Sequence, residues 1–276
     1  MSDPALRPTL VFSHGNGFPA GTYSALFKVW REAGWQVQAL ERFGHDPKFP
    51  VTSNWPHLRD ELIAFIEGLP SAPAVWLVGH SLGGLLSLMV ACWKPRLVQG
   101  IVLLDSPVIT GWRAHSLQVI KASGLMSRVS PGRYSHKRRQ HWEDLEAVRA
   151  HFLRRASFAR WDPAVLAHYW QYGFVERDGG LALAFDREIE TRIYNTLPHQ
   201  LGTMLRRHPL RCPMGFIAGS ASLEMRQGGV LSAKRLAGPY FQTIEGTHLF
   251  PMEKPLETAH RVLDLLAAMN GGDRPL

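Results

Sequence analysis

Apolar positions follow two rhythms along this chain. Short segments at 9–13, 35–40, 74–78, 101–104, 214–218 and 240–244 predict strands, and the first, an apolar and β-branched run leading into a glycine loop, reads as buried. Between them, the segment 57–69 places Leu58, Leu62, Phe65 and Ile66 on one helical face. Segments 85–93, 231–236 and 256–268 read as further helices, the first ending before Pro95. Strands that alternate with helices predict an α/β fold, a mostly parallel sheet covered on both faces. The alternation stops after Pro107 and resumes near residue 206. The interval 111–205 reads as helices with few strand signals, and Trp161-Asp162-Pro163 marks a helix start with Asp162 as N-cap. The expected organisation is a core of 1–110 and 206–276 with a helical insertion over the strands' carboxyl ends, where such sheets bind ligands.

The 276 residues are 45% hydrophobic and 20% charged, the balance of a soluble globular chain with a sizeable core. No apolar run reaches the roughly 18 residues that span a bilayer. The opening residues lack the charged-then-apolar pattern of a secretion signal, so a cytoplasmic location is expected. Cys92 and Cys212 are too few for a disulfide framework or a cysteine zinc site, and both read as core filler. The net charge of +8 is unevenly placed: residues 111–160 hold eleven basic and three acidic side chains, and the rest is balanced. No nucleic-acid motif accompanies the excess, so no nucleic-acid partner is expected. Lys137-Arg138-Arg139 reads as a solvated stretch of a helical insert, or else as an attractor of anionic substrates or a membrane surface.

The chemistry enters at Gly79-His80-Ser81-Leu82-Gly83, a G-x-S-x-G sequence between an apolar strand and an apolar helix. Such a turn projects Ser81 Oγ above the sheet at a helix N-terminus; the plainer reading is an ordinary turn with a solvated serine. With HGNGFP after the first strand, LLDSP after the fourth and GTHLFPMEKP near the end, the chain resembles an α/β-hydrolase with a helical cap. The resemblance covers nearly the whole chain and is weakest across 111–205. It implies Ser81 as nucleophile, His248 as general base and the backbone N–H groups of Asn16 and Leu82 as oxyanion donors. His14 and His80 then read as structural hydrogen-bonders. His136, His141 and His151 show no ligand spacing with carboxylates, so neither metal nor cofactor is expected.

The acid of the triad is open. Many members of the resembled family carry it three residues after the glycine ending the next-to-last strand, which is Ser222 here. Asp105, at the end of the strand after the nucleophile helix, and Glu224, two residues beyond Ser222, are the candidates. A serine nucleophile points to an acyl-enzyme and a carboxylic ester or thioester. Carbon–carbon bond hydrolysis of a diketone-like substrate with the same triad, and a catalytically silent binding module, are the alternatives. Of the inserted aromatics Trp112, Phe152, Phe158, Trp161, Tyr169, Trp170, Tyr172 and Phe174, about a quarter are expected to line the pocket, so a largely apolar acyl or aromatic substrate is expected. Met126, Met204 and Leu205 are read as core or pocket.

Overall fold

The structure, a computed structural model, describes residues 7–70, 74–123, 126, 130 and 132–271; the first six residues, part of the opening segment judged for a secretion signal, lie outside it. The strands are β1 (Thr9–Ser13), β2 (Gln36–Ala39), β3 (Val75–His80), β4 (Val98–Leu104), β5 (His141–Trp142), β6 (Phe174–Arg177), β7 (Gly180–Leu183), β8 (Met214–Gly219) and β9 (Phe241–Ile244). Six of them form a sheet in the order β2-β1-β3-β4-β8-β9. Every pairing within it is parallel, for example Leu10 beside Trp76 and Leu104 beside Ile217.

Period-two alternation divides the core between the two sheet faces. Val11, Leu77, Ile101 and Leu103 pack with helices Pro56–Glu67, Leu82–Trp93 and Val230–Ala237. Phe12, Val78, Val102 and Leu104 pack with helices Ser24–Glu32 and Pro255–Gly271. Both faces being covered, β3 and β8 are buried at every position, as the unbroken apolar runs predict. The chain leaves β1 toward β2, then returns to β3 on the other side of β1. The carboxyl ends of β1 and β3 therefore flank the crevice where the strand order reverses, the usual ligand position in such sheets.

Three features depart from the expectations. Helix Ser24–Glu32 was not anticipated, although it is strongly amphipathic and buries Leu26, Phe27 and Trp30. The inserted interval is not purely helical: β5, β7 and β6 form an antiparallel sheet. Its hairpin turns at Asp178 (φ 50°) and Gly179 (φ 76°), an Asp-Gly pair suited to positive φ at both positions. Finally, Lys137-Arg138-Arg139 is not uniformly solvated. Lys137 and Arg139 are exposed, but Arg138 makes a two-pronged ion pair with the buried Glu190, at 2.7 and 2.9 Å. The helix start at Asp162 is as expected, with its carboxylate accepting from the Ala164 N–H.

Five of the eight aromatics of the interval 111–205 are packing. Phe152, Phe158, Trp161, Tyr169 and Phe174 are buried in one cluster, and Phe158 stacks on Trp161 with centroids 4.4 Å apart. Trp112 is 73% exposed. Burial also pushes the thiols of Cys92 and Cys212 up to about 12, which keeps both protonated and unreactive at neutral pH.

Candidate active site

β3 runs straight into helix Leu82–Trp93, which begins three residues earlier than the apolar pattern suggests. Ser81 alone makes the turn, at φ 54° and ψ −113°. A non-glycine residue there is strained, and the strain is held by packing from below. A Cβ on Gly83 would lie 2.0 Å from the Ser13 carbonyl oxygen, so only glycine lets the helix start this close to the end of β1. The Gly83 N–H donates to His14 O and the Ser81 N–H to Leu104 O, tying the turn to β1 and β4.

His248 follows β9 in a pinned loop. Glu253 accepts from both the N–H and the hydroxyl of Thr247, at 3.0 and 2.6 Å. The imidazole places Nε2 2.9 Å from Ser81 Oγ and Nδ1 2.6 Å from Asp105 Oδ2. Asp105 is fully buried at φ 45°. Its Oδ1 accepts from the Gly219 N–H at 2.7 Å, and its Oδ2 also accepts from the Ser222 hydroxyl at 2.5 Å. Glu224 stands 4.0 Å from His248 Nδ1 with its side chain 48% exposed. The geometry thus joins Ser81, His248 and Asp105 in one hydrogen-bonded line and leaves Glu224 beside it. Burial opposes charge on His248. The hydrogen bond and charge of Asp105, with Glu224 further off, outweigh it, and the imidazole titrates above its ordinary value.

His80 and His14 hold neutral, determinate tautomers. The Gly15 N–H donates to the Tyr23 hydroxyl, which donates to His80 Nδ1 at 2.7 Å, and His80 Nε2–H donates to the His248 carbonyl at 2.9 Å. Burial first, then the neighbouring His248, keeps His80 well below the usual histidine range. His14 accepts from the Phe43 N–H at Nε2 and donates from Nδ1 to Gly15 O, with burial lowering its pKa to about 4. Tyr23 carries no signal in the sequence, since it falls in a segment without a predicted element.

Asn16 and Leu82 both line a cavity with Ser81 and His248. Among the described residues, neither backbone N–H has a protein acceptor. The Asn16 side-chain amide donates to Glu190 O at 3.0 Å. Ser81 lies where two cavities meet. One, ≈ 300 Å³, has walls of Trp55, Leu85, Pro107, Ile109, Ile193 and Leu197. The other, ≈ 440 Å³, passes Phe18, Ser157, Arg160, Leu223 and Leu249. Tyr194 and Glu224 border both. The aromatics facing these cavities are therefore Phe18, Trp55 and Tyr194, and none of the eight inserted aromatics or of Met126, Met204 and Leu205 does so. Donor atoms of Asp105, Glu224 and His248 fall within 4.8 Å of one another, the one grouping of metal-ligand spacing among the described residues. The Asp105 oxygens and His248 Nδ1 are already engaged with one another and with Gly219 and Ser222.

A family model described as "Alpha/beta hydrolase family" matches residues 10–261. Among curated proteins, the chain is 28% identical over 130 residues to monoglyceride lipase of Mus musculus, a match covering 44% of this chain and 43% of the lipase. It is 28% identical over 118 residues to an sn-1-specific diacylglycerol lipase of the same organism, covering 42% and 38%. The chain thus matches less than half the length of either relative. Among solved structures, E-2-(acetamidomethylene)succinate hydrolase superposes with TM-score 0.72 at 20% identity, covering 94% of this chain and 91% of that one. The thioesterase domain from the curacin biosynthetic pathway gives 0.68 at 18% identity, covering 95% and 92%. At these identities the likeness is one of fold. Among the described residues, no helix is long and apolar enough to cross a membrane.

Proposed function

The chain belongs to the alpha/beta hydrolase family, and from that premise we propose that it is a serine hydrolase of a carboxylic ester or thioester. The observation that carries this reading is the unbroken line Ser81 Oγ, His248 Nε2, His248 Nδ1, Asp105 Oδ2, with contacts of 2.9 and 2.6 Å. A serine hydroxyl attacks only when a base accepts its proton, and a base oriented by a buried carboxylate keeps the required tautomer.

In this mechanism Ser81 Oγ bonds to the acyl carbon as its proton passes to His248 Nε2. The N–H groups of Asn16 and Leu82 donate to the oxyanion of the tetrahedral intermediate. Collapse breaks the C–O or C–S bond, and the leaving group takes the proton from His248. Water then attacks the acyl-enzyme by the same route, and the acid departs. The interval 111–205 acts as the cap that encloses the apolar cavity and selects the acyl group. The alternative of a silent binding fold rested on the serine at position 222; Asp105 supplies a carboxylate to the same imidazole by another route.

A fluorophosphonate probe tests the reading. Wild type is expected to be labelled on Ser81 and to turn over simple aryl esters, and Ser81→Ala to do neither. Unlabelled wild type overturns the proposal. Labelling without any aryl ester turnover moves the chemistry toward carbon–carbon bond hydrolysis. The rate carries a second test. Because His248 must be unprotonated to act as base, and its pKa is raised, kcat/KM is expected to fall with decreasing pH at a midpoint above 6.5. A profile flat from about pH 5 to 8 contradicts it.

A further inference from the structure

We infer that the substrate carries an anionic group on the side of the scissile bond opposite its apolar group, and that Arg160 receives it. This rests on the ester-hydrolase reading and names its substrate class. The two cavities that meet at Ser81 differ in chemistry. The smaller is walled by Trp55, Leu85, Ile109 and Leu197, and suits a hydrocarbon group. The larger holds one fixed cation, Arg160, on the exposed segment that also contributes Ala156 and Ser157 to the cavity wall.

Arg160 has no protein partner among the described residues, in contrast to Arg138, which is paired with Glu190. Two carboxylates also line this cavity, one bound to its own loop and one half-exposed on the His248 side. Glu253 accepts both hydrogen bonds of Thr247, and Glu224 stands 4.0 Å from His248 and 3.4 Å from the Ser222 hydroxyl. A guanidinium standing free at the rim of a cavity that holds a nucleophile presents several N–H donors in a fork suited to carboxylate or phosphate oxygens. Arg154 and Arg155, exposed on the same segment, add to the positive field at this end of the molecule. The charge excess of residues 111–160 thereby acquires a use in substrate attraction.

Three butyrate esters with the same acyl group test the inference: those of para-hydroxybenzoate (anionic), para-hydroxybenzamide (neutral) and para-hydroxybenzyl-trimethylammonium (cationic). Wild type is expected to show a KM for the anionic ester about two- to fivefold below that for the neutral one, the scale of an exposed ion pair. The ratio should collapse toward one in Arg160→Gln, persist in Arg154→Gln, and shrink in high salt. An unaltered ratio in Arg160→Gln, or a wild-type preference for the cationic ester, overturns the inference while ester turnover upholds the underlying reading. No turnover together with no fluorophosphonate labelling of Ser81 overturns that reading, and the inference with it.

Discussion

Asp105 accepts from Gly219, Ser222 and His248 while fully buried, so its charge is held by donors rather than by water. Glu224 is half-exposed, and its nearest polar neighbour, the Ser222 hydroxyl at 3.4 Å, gives its proton to Asp105. The two carboxylates should therefore respond differently to neutralisation. Asp105→Asn removes the group that fixes the His248 tautomer and is expected to lower kcat by about 10⁴-fold, the scale known for such replacements. Glu224→Gln should keep most turnover. It removes one of the charges that raise the pKa of His248, so the acid limb of kcat/KM should move to lower pH. Matched pH–rate profiles check both, and the reverse ordering transfers the role to Glu224. The sequence left this choice open for a physical reason. Asp105 meets His248 from a backbone at φ 45°, an angle the residue type permits but does not announce.

At the scale of elements, the helix Arg187–Asn195 links the inserted interval to the loop after β1. The carbonyl of Glu190 accepts from the Asn16 side chain, and its carboxylate packs so close to Gly17 that a Cβ there would lie 2.8 Å from Oε1. Arg138 secures that carboxylate, with side chains 15% and 7% exposed. Arg138→Ala leaves a buried charge without its partner and is expected to cost about 3–5 kcal/mol of stability by denaturant titration. The double replacement Arg138→Met, Glu190→Leu should recover much of it; no recovery would place the loss in packing instead. The central strands, such as β3, were legible because a short, unbroken apolar run between turn residues fits a strand covered on both faces and little else. Helix Ser24–Glu32 and the β6–β7 hairpin were not, since a short amphipathic helix and an Asp-Gly turn carry weak signals beside tertiary packing. The pairing of Arg138 with a glutamate 52 residues away is a fact of tertiary structure that a local charge run cannot display.

Over the whole molecule, the candidate site is assembled from both sides of the insertion. Ser81 and Asp105 lie before it, while His248 stands 167 and 143 residues further along the chain. The sheet joins these parts directly, because β4 pairs in parallel with β8, and β8 with β9, the strand that leads into His248. That segment has an exposed stretch at 153–157, between Phe152 and Phe158, which are anchored in the aromatic cluster at 1% and 6% exposure. Exposed stretches of this kind take the first proteolytic cut. Limited trypsin treatment is therefore expected to cleave after Arg154 or Arg155 and to leave two fragments that remain associated. Ser81 would then be on one fragment and His248 on the other. A fluorophosphonate should still label the N-terminal fragment at close to the uncut rate, because the β4–β8 junction keeps the imidazole within reach of the hydroxyl. Loss of labelling in step with cleavage, with the fragments still co-eluting, would mean that chain continuity through the insertion, rather than the sheet, maintains the 2.9 Å contact on which the proposed chemistry depends.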